Sequence, residues 1–327
     1  MTQTSESKNL LLLKPRGFCA GVVRAIDIVR IALDAFGPPI YVRKEIVHNK
    51  YVVEELKEKG AIFVDDVEEV PNGERVIYSA HGVAPSVREA SKLRLLRVID
   101  ATCPLVTKVH VEAIRFARDG YSLILIGHLN HDEIVGTLGE APAVTQVVSS
   151  AAQVKDIVVP DPNRVAYLTQ TTLSLDEATD IIEALKEKFP NIRGPHAQDI
   201  CYATENRQQA VKNVAEKVDL LLVVGSPNSS NSNRLVEVAR NLGTTNSHLI
   251  DTCEDINHDW LNGVATVALT AGASAPEILV QQAIEFLGKR GFNNVQEVEV
   301  MPEHVRFALP AEIVAAIAAA PAPAAAE

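Results

Sequence analysis

Three of the four cysteines stand where a thiol can become reactive. Cys19, Cys103 and Cys201 each follow a short apolar segment and precede a segment whose apolar residues recur at helical spacing. Because helix N-termini stabilise negative charge, we expect these thiols to ionise. Three thiolates can hold zinc with an open coordination position, or a 4Fe-4S cluster with one iron that has no protein ligand. Either interpretation predicts a reactive metal centre.

The fold must assemble this centre, because the three cysteines lie far apart in the chain. The sequence contains neither a C-x-x-C pair nor the closely spaced cysteines of a ferredoxin. Cys253 lies off the repeated position, next to Glu254 and Asp255. We predict that Cys253 is not a ligand. A cluster held by four cysteines is the alternative.

Imidazole, hydroxyl and amide side chains at the ends of other predicted strands form a second set. Such donors, together with helix N-termini, bind anions. As a set, these residues predict an anion site close to the cysteines. The set comprises His48, His81, His131, Ser229, Ser230, Asn231 and Ser274.

Glu133 is the candidate acid–base group, within residues 127–133, GHLNHDE. A carboxyl group that is desolvated at a strand end has a raised pKa and can donate a proton. Hydroxyl groups in residues 169–172, TQTT, among them Thr171, could relay that proton, and helix capping is the ordinary alternative for them. The H-x-E spacing also occurs in zinc deaminases, but their P-C-x-x-C motif is absent here.

The elements that must position these residues repeat three times along the chain. In each third, strand-like segments end at a cysteine, at a polar cluster and at a loop with hydroxyl or imidazole groups, and helical patterns follow. Alternating strands and helices favour parallel sheets, which bind ligands at the carboxyl ends of their strands. We predict an α/β fold of three similar units with mainly parallel sheets, in a pseudo-threefold arrangement around one central site.

The repeat also predicts boundaries. The units span residues 9–95, 96–194 and 195–290, and a C-terminal extension spans 291–308. The strands before the cysteines are Leu10–Leu13, Arg97–Ile99 and, more weakly, Ala197–Ile200, and the helix after Cys201 runs through Val218. Residues 309–327 are rich in Ala and Pro, so we expect this tail to be disordered.

Composition limits the remaining function classes. The 327 residues include 31 basic and 42 acidic residues, a formal net charge of −11, which argues against a nucleic-acid partner or an anionic membrane surface. The apolar runs are too short or too weak to span a bilayer, and the N-terminus has no leader pattern. We therefore expect a cytoplasmic protein with reduced thiols. The sequence is silent on oligomeric state.

Several blocks, in order over most of the chain, closely resemble the 4-hydroxy-3-methylbut-2-enyl diphosphate reductase family. These enzymes catalyse the last step of the methylerythritol phosphate route to isoprenoids. So many blocks in register make the resemblance highly specific. They are residues 16–22 (RGFCAGV), 79–83 (SAHGV), 100–104 (DATCP), 127–133 (GHLNHDE), 169–172 (TQTT), 199–204 (DICYAT), 228–234 (NSSNSNR) and 271–276 (AGASAP).

The resemblance implies an iron–sulfur oxidoreductase with one central 4Fe-4S cluster. Cys19, Cys103 and Cys201 would ligate the cluster, and the substrate's hydroxyl oxygen would bind its fourth iron. Glu133 would deliver protons, with Thr171 and His131 assisting. The products would be isopentenyl and dimethylallyl diphosphate, and a flavodoxin or ferredoxin would supply electrons. Contacts to the allylic diphosphate substrate would come from His48, His81, His131, Thr171, Ser229, Ser230, Asn231 and Ser274.

Two other functions could use the same residues. A zinc hydrolase or deaminase predicts bound zinc, and a non-catalytic iron–sulfur redox sensor predicts a cluster without turnover. Hydroxide is a poor leaving group unless a Lewis acid holds its oxygen and an acid protonates it. Iron also transfers single electrons, which zinc does not. This chemistry favours the reductase.

Overall fold

Helices and strands alternate along the chain. The computed structural model describes residues 8–319. Its strands are β1 (Asn9–Lys14), β2 (Ile40–Arg43), β3 (Ala61–Val64), β4 (Arg75–Tyr78), β5 (Arg97–Asp100), β6 (Ser122–Ile126), β7 (Thr145–Val148), β8 (Val165–Thr169), β9 (Leu220–Val224), β10 (Ser247–Ile250), β11 (Thr266–Ala271) and β12 (Asn294–Glu299). Its helices are α1 (Ala20–Phe36), α2 (Lys50–Glu58), α3 (Pro85–Leu93), α4 (Pro104–Arg118), α5 (Asp132–Glu140), α6 (Leu175–Lys188), α7 (Tyr202–Lys212), α8 (Ser230–Asn241), α9 (Glu277–Gly288) and α10 (Ala311–Ala319).

The strands form three separate sheets, and every strand pairing within residues 8–319 is parallel. The first sheet has the order β3-β2-β4-β5, the second has β7-β6-β8, and the third has β10-β9-β11-β1-β12. The predicted α/β class with parallel sheets in three units is confirmed.

The apolar strands explain why the sheets are parallel and covered. Strand β9 reads LLLVV, and all 5 of its residues are buried. Parallel strands with helices on both faces need such continuous apolar runs. Helix α1 buries one face, with Ala25, Ile28, Val29 and Ala32 each 0% exposed. Polar side chains are therefore concentrated at the strand ends.

Two strands pair outside the units in which their sequence positions place them. Strand β1 lies in the third sheet, between β11 and β12, although its residues begin the predicted first unit. Strand β5 pairs with β4 of the first sheet, although its residues begin the predicted second unit. Each of these strands leads to a cysteine, so Cys19 and Cys103 lie at junctions between units. The unit boundaries stay a prediction.

The region before Cys201 differs from the predicted strand Ala197–Ile200. Residues 197–200 form a loop. The nearest strand-like pairing before it is an isolated parallel bridge between Arg193 and Ala166 of the second sheet. The Asp199 carboxylate accepts a hydrogen bond from the Thr169 N–H at 2.9 Å, so a side chain takes the place of a strand partner there. Helix α7 also ends at Lys212, before Val218.

The C-terminal region is more ordered than its composition predicts. Strand β12 is an edge strand of the third sheet, within the predicted extension. The expected disorder is wrong for residues 311–319, because they form helix α10, and its Ile313 is 0% exposed against the core around α1. A single well-placed isoleucine thus docks an Ala-rich helix. Residues 320–327 of the predicted tail lie outside the described part. Within residues 8–319, no helix has the length and hydrophobicity needed to cross a membrane.

We expect Ile313→Ala to lower the free energy of unfolding by about 2–5 kcal/mol, the usual cost of removing a buried isoleucine side chain. Ile317→Ala is the matched control on the same helix, because Ile317 is 49% exposed. Urea denaturation followed by far-UV circular dichroism measures both variants. Equal midpoints for the two variants would mean that α10 does not dock.

Candidate active site

The three repeated cysteines all lie at helix N-termini, as predicted. Cys19, Cys103 and Cys201 are the residues immediately before α1, α4 and α7. All three line one cavity of about 110 Å³ at the meeting point of the three units. Cys253 lies elsewhere, in a short 3-10 turn beside the third sheet, and does not line this cavity.

One backbone hydrogen bond holds each of these cysteines against a neighbouring strand end. The amide of Cys19 donates to the Ala273 carbonyl at 3.1 Å, that of Cys103 to Ala80 at 3.0 Å, and that of Cys201 to Thr171 at 3.0 Å. Two of the acceptors directly precede a predicted anion-site residue, and the third is itself a predicted site residue. The three bonds therefore repeat one local geometry around the cavity.

Gly21 makes room for the thiols to converge. A Cβ atom added at this position would lie 2.8 Å from the Cys103 Sγ and 3.8 Å from the Cys19 Sγ. The shorter distance is below normal contact, so any side chain would push the thiol away. Glycine is required here by space, since α1 would otherwise favour alanine.

Two of the thiols, Cys103 and Cys201, keep their protons in the ligand-free protein, which corrects the expectation from their helix positions. Burial raises the pKa of Cys103 to about 12, and repulsion from Cys19 and Cys201 adds to the rise. Burial likewise raises the pKa of Cys201 to about 11, with Cys19 adding to it. Desolvation therefore outweighs the helix dipole. A bound cation would supply the missing compensation.

The donor set fits the iron–sulfur cluster that the resemblance implies. Thiolates are soft ligands that suit Fe–S clusters and zinc, and both deprotonate the thiol on binding. The cysteines are partly buried and line one internal cavity, and Gly21 leaves them space. Three cysteines leave one iron of a four-iron cluster without a protein ligand.

Three histidines form a compact group in the same cavity. The rings of His48 and His81 stack with centroids 4.0 Å apart, and His131 meets them edge-on at 5.6 Å and 5.9 Å. Burial lowers the pKa of His131 to about 4 and that of His81 well below its usual value, and the neighbouring imidazoles lower both further. Both rings are neutral at pH 7 in the ligand-free protein. A bound anion would raise their pKa, because a nearby negative charge favours the protonated form.

The hydroxyl and amide residues gather around the start of α8. Ser229 caps this helix, Ser230 is its first residue, and Asn231 is its second. The Asn231 Oδ1 accepts from the Ala273 N–H at 2.9 Å, and the Ser274 hydroxyl donates to the His48 carbonyl at 2.9 Å. The second of these bonds joins the third sheet to the histidine loop of the first sheet. All of the predicted anion-site residues line the cavity.

Glu133 is a buried acid, only 2% exposed. Its two carboxyl oxygens accept from the Thr171 N–H at 2.7 Å and the Thr171 hydroxyl at 2.9 Å, and its own N–H donates to the His131 Nδ1 at 3.2 Å. Burial raises the pKa of Glu133 to about 7, although the two bonds from Thr171 oppose the rise. The group can therefore hold a proton at neutral pH.

Other residues support the site without having been predicted. The Glu45 carboxylate lies 3.2 Å from the His48 Nδ1 and accepts from the Asn228 amide at 2.7 Å. Thr204 lies three residues after Cys201 and approaches its Sγ to 3.1 Å. A residue three positions after a helix cap commonly contacts the capping side chain, so this spacing could have predicted the contact of Thr204 with Cys201. Tyr202 and Phe307 complete one wall of the cavity.

A second possible ligand group overlaps the histidines. Among the described residues, His48, His81 and Asp132 offer ligand atoms within 4.8 Å of one another. Zinc binds histidine nitrogen at about 2.0–2.1 Å, so these ligand atoms would have to move closer to one another to bind one zinc ion. Its two histidines line the anion end of the cavity, Asp132 does not line the cavity, and the group includes none of the cysteines.

Fold and cavity together define an α/β enzyme with a three-thiol centre next to an anion site and a buried acid. Comparison with known proteins places it more narrowly. A model of the LytB protein family matches residues 10–288, so the chain belongs to the LytB family.

Curated relatives carry one name over nearly the whole chain. The 4-hydroxy-3-methylbut-2-enyl diphosphate reductase of Acidothermus cellulolyticus is 55% identical over 306 residues, covering 94% of this chain and 90% of that protein. The reductase of the same name from Streptomyces coelicolor is 53% identical over 309 residues, covering 94% and 91%. Neither alternative function, zinc hydrolase or redox sensor, appears among these names.

Two solved structures share the fold. The E-1-hydroxy-2-methyl-but-2-enyl-4-diphosphate reductase of Plasmodium falciparum has a TM-score of 0.92 and 42% identity, covering 95% of this chain and 98% of that one. An (E)-4-hydroxy-3-methyl-but-2-enyl diphosphate reductase, described as the terminal enzyme of the non-mevalonate pathway, has a TM-score of 0.61 and 31% identity, covering 86% and 99%.

We expect Gly21→Ala to lose iron while keeping its fold, because the added methyl group would occupy the space of the Cys103 thiol. Iron and sulfide per protein after anaerobic reconstitution measure the effect. Gly288→Ala is the matched control, since its added Cβ would meet only Asn293 Oδ1, at 3.4 Å. Full cluster content in Gly21→Ala would remove the steric argument.

Proposed function

We propose that this chain reduces 4-hydroxy-3-methylbut-2-enyl diphosphate to isopentenyl and dimethylallyl diphosphate, the last step of the methylerythritol phosphate route. The observation that carries the proposal is the content of one cavity: three thiols, a buried acid and an anion-binding set. An allylic diphosphate alcohol has a group to match each of these. Membership of the LytB family and the names of its relatives support the same reaction.

The diphosphate is assigned to the histidines and the start of α8. His48, His81 and His131 supply ring N–H donors, and the hydroxyl and amide groups of Ser229, Ser230, Asn231 and Ser274 supply neutral donors. Thr171 adds a hydroxyl next to the acid. Charge on the diphosphate would favour protonation of the neutral imidazoles and strengthen their hydrogen bonds. The helix N-terminus of α8 also favours an anion there.

Cys19, Cys103 and Cys201 are assigned as the ligands of one 4Fe-4S cluster. When bound, the cluster supplies Lewis acidity and single-electron transfer, which the departure of a hydroxyl group requires. The reaction takes up two electrons and two protons: the C–O bond breaks, one proton leaves with the hydroxyl group as water, and the other forms a new C–H bond on the allyl group. We propose that a flavodoxin or ferredoxin delivers the electrons, as the family resemblance implies.

Glu133 is assigned as the proton donor. Among the described residues that line the cavity, it is the only carboxylic acid. With a pKa raised to about 7, it carries a proton close to neutral pH and can give it up during the reaction. Thr171 binds both carboxyl oxygens and so fixes their direction, and His131 holds the backbone of Glu133 at the start of α5.

Product analysis tests the function. The protein is reconstituted anaerobically, reduced with a low-potential dye and mixed with 4-hydroxy-3-methylbut-2-enyl diphosphate, while the absorbance of the cluster is recorded. Formation of isopentenyl and dimethylallyl diphosphate is expected. An intact cluster without product would indicate a redox sensor or another substrate, and bound zinc without a cluster would indicate a hydrolase.

We expect Glu133→Gln to keep cluster and substrate binding but to lose about 10²- to 10⁴-fold in turnover, the usual contribution of a general acid. Turnover of the unaltered protein should fall as pH rises through about 7, because Glu133 then loses its proton, and the variant should lack this step. Glu112→Gln is the control, since Glu112 is buried on α4 but does not line the cavity. Near-normal turnover in Glu133→Gln would exclude this residue as the acid.

A further inference from the structure

An irregular segment crosses the molecule beside the cysteines. Residues 300–309, here called the strap, connect β12 of the third sheet to α10, which packs on α1. The Val300 N–H donates to the Lys14 carbonyl at 3.1 Å, so the strap begins by extending the pairing of β12 with β1. At its other end, Glu312 on α10 pairs with Arg75 of the first sheet at 2.8 Å. The strap therefore spans two units.

Arg24 joins the strap to the loop that carries Cys103. This arginine lies on α1, and its Nε donates to the Ala308 carbonyl of the strap at 2.7 Å. Its Nη1 donates to the carbonyls of Ala101 and Thr102, at 3.1 Å and 3.0 Å. Those two residues directly precede Cys103. One guanidinium group thus fixes both the strap and one cysteine loop.

Arg207 joins the strap to the other two cysteines. Its side chain is fully buried, and its Nη2 donates to the Gly17 carbonyl at 2.7 Å, two residues before Cys19. Arg207 itself lies on α7, which begins directly after Cys201, and its Nη1 donates to the Ala203 carbonyl in the first turn of this helix at 2.9 Å. Glu303 of the strap pairs with the same guanidinium at 2.9 Å.

The position of Arg207 depends on the strap, because the strap carries its carboxylate partner, Glu303. A buried guanidinium keeps its charge, so it needs a partner that is also desolvated. Glu303 is that partner, with only 14% of its side chain exposed, and it also accepts from the Asn206 amide at 2.9 Å. If the strap moved away, Arg207 would lose its carboxylate, and the bond that ties the start of α7 to the Cys19 loop would no longer be supported.

The strap also separates the cysteines from solvent. Its Phe307 lines the cysteine cavity and, on its other side, an outer groove of about 660 Å³. Among the described residues, Tyr202 is the other residue that lines both spaces. A single layer of side chains therefore stands between the thiols and the open groove.

We propose that the strap, through Arg24, Arg207 and Glu303, holds the three cysteine loops in ligand geometry and slows loss of the cluster. The inference rests on the proposed function, because it assumes that the cysteines bind a cluster. None of the three residues lines the cysteine cavity, so they are positioning residues. The hydrogen bonds end on backbone carbonyls next to the cysteines, which is where a small displacement would change thiol positions.

The test measures how fast iron leaves the reconstituted protein. Arg24→Gln and Glu303→Ala are challenged anaerobically with a ferrous chelator, well below their unfolding temperatures. We expect each to release iron on the order of tenfold faster than the unaltered protein, the size of effect that residues behind metal ligands usually have. The matched controls are Arg30→Gln on α1 and Glu297→Gln on β12, whose charges pair with Glu55 and Lys14 away from the cysteines.

A spectroscopic measurement and a third variant separate an effect on cysteine position from an effect on general stability. The electron paramagnetic resonance spectrum of the reduced cluster should change in Arg24→Gln and Glu303→Ala but not in the controls. Because Arg207 is fully buried, we use Arg207→Lys in place of an alanine variant. It keeps the charge for Glu303 but lacks the forked donors, so we expect faster iron loss with the ion pair retained.

The outcomes distinguish the two proposals. If the unaltered protein takes up no cluster, the proposed function itself fails. If it takes up a cluster and turns over, but the strap variants release iron at the rate of the controls, the strap proposal is overturned. It is also overturned if iron loss only parallels loss of far-UV ellipticity, with an unchanged spectrum for the remaining cluster.

Discussion

Three equivalent backbone hydrogen bonds determine the rest of the site. The amides of Cys19, Cys103 and Cys201 each donate to a carbonyl just beyond the end of a neighbouring strand, so each thiol is placed against one strand end. This geometry forces three thiols into one desolvated space, where burial raises the pKa of Cys103 to about 12. Convergence without compensation is unfavourable. The fold therefore builds a space in which a bound metal centre would compensate the charge of the three thiolates.

The same lack of water accounts for the state of the other ionisable groups. Burial raises the pKa of Glu133 to about 7 and lowers that of His131 to about 4, so each moves toward its neutral form. An acid that keeps its proton and imidazoles that have not yet gained one are what a reduction of an anionic alcohol needs. Both states come from one physical cause, and neither requires a specific charged partner.

The sequence predicted which residues line the cavity better than it predicted how the strands pair and which side chains link the units. The helix N-termini at the cysteines and the burial of Glu133 could be predicted locally. The spacing of apolar residues predicts the strands and helices, and the polar residues that follow mark where they end. Strand β1 could be recognised, but period alone does not say with which sheet a strand pairs. Asp199 replaces a strand partner through its side chain, and Arg24 and Arg207 act on backbone carbonyls, which leave no pattern in the sequence. The docking of α10 depends on one isoleucine in an Ala-rich segment.

The position of β1 has a consequence for how the protein is made. This strand pairs only with β11 and β12 among the described residues, so its partners are the last strands to be synthesised. At about 5–20 residues per second, β1 waits on the order of tens of seconds on the ribosome without its sheet. The Cys19 amide likewise lacks its acceptor, Ala273, during this time. The Cys19 thiol can therefore reach its place beside Cys103 and Cys201 only after β11 and Ala273 have been made, so a metal centre that needs all three thiols would form after most of the chain has been synthesised.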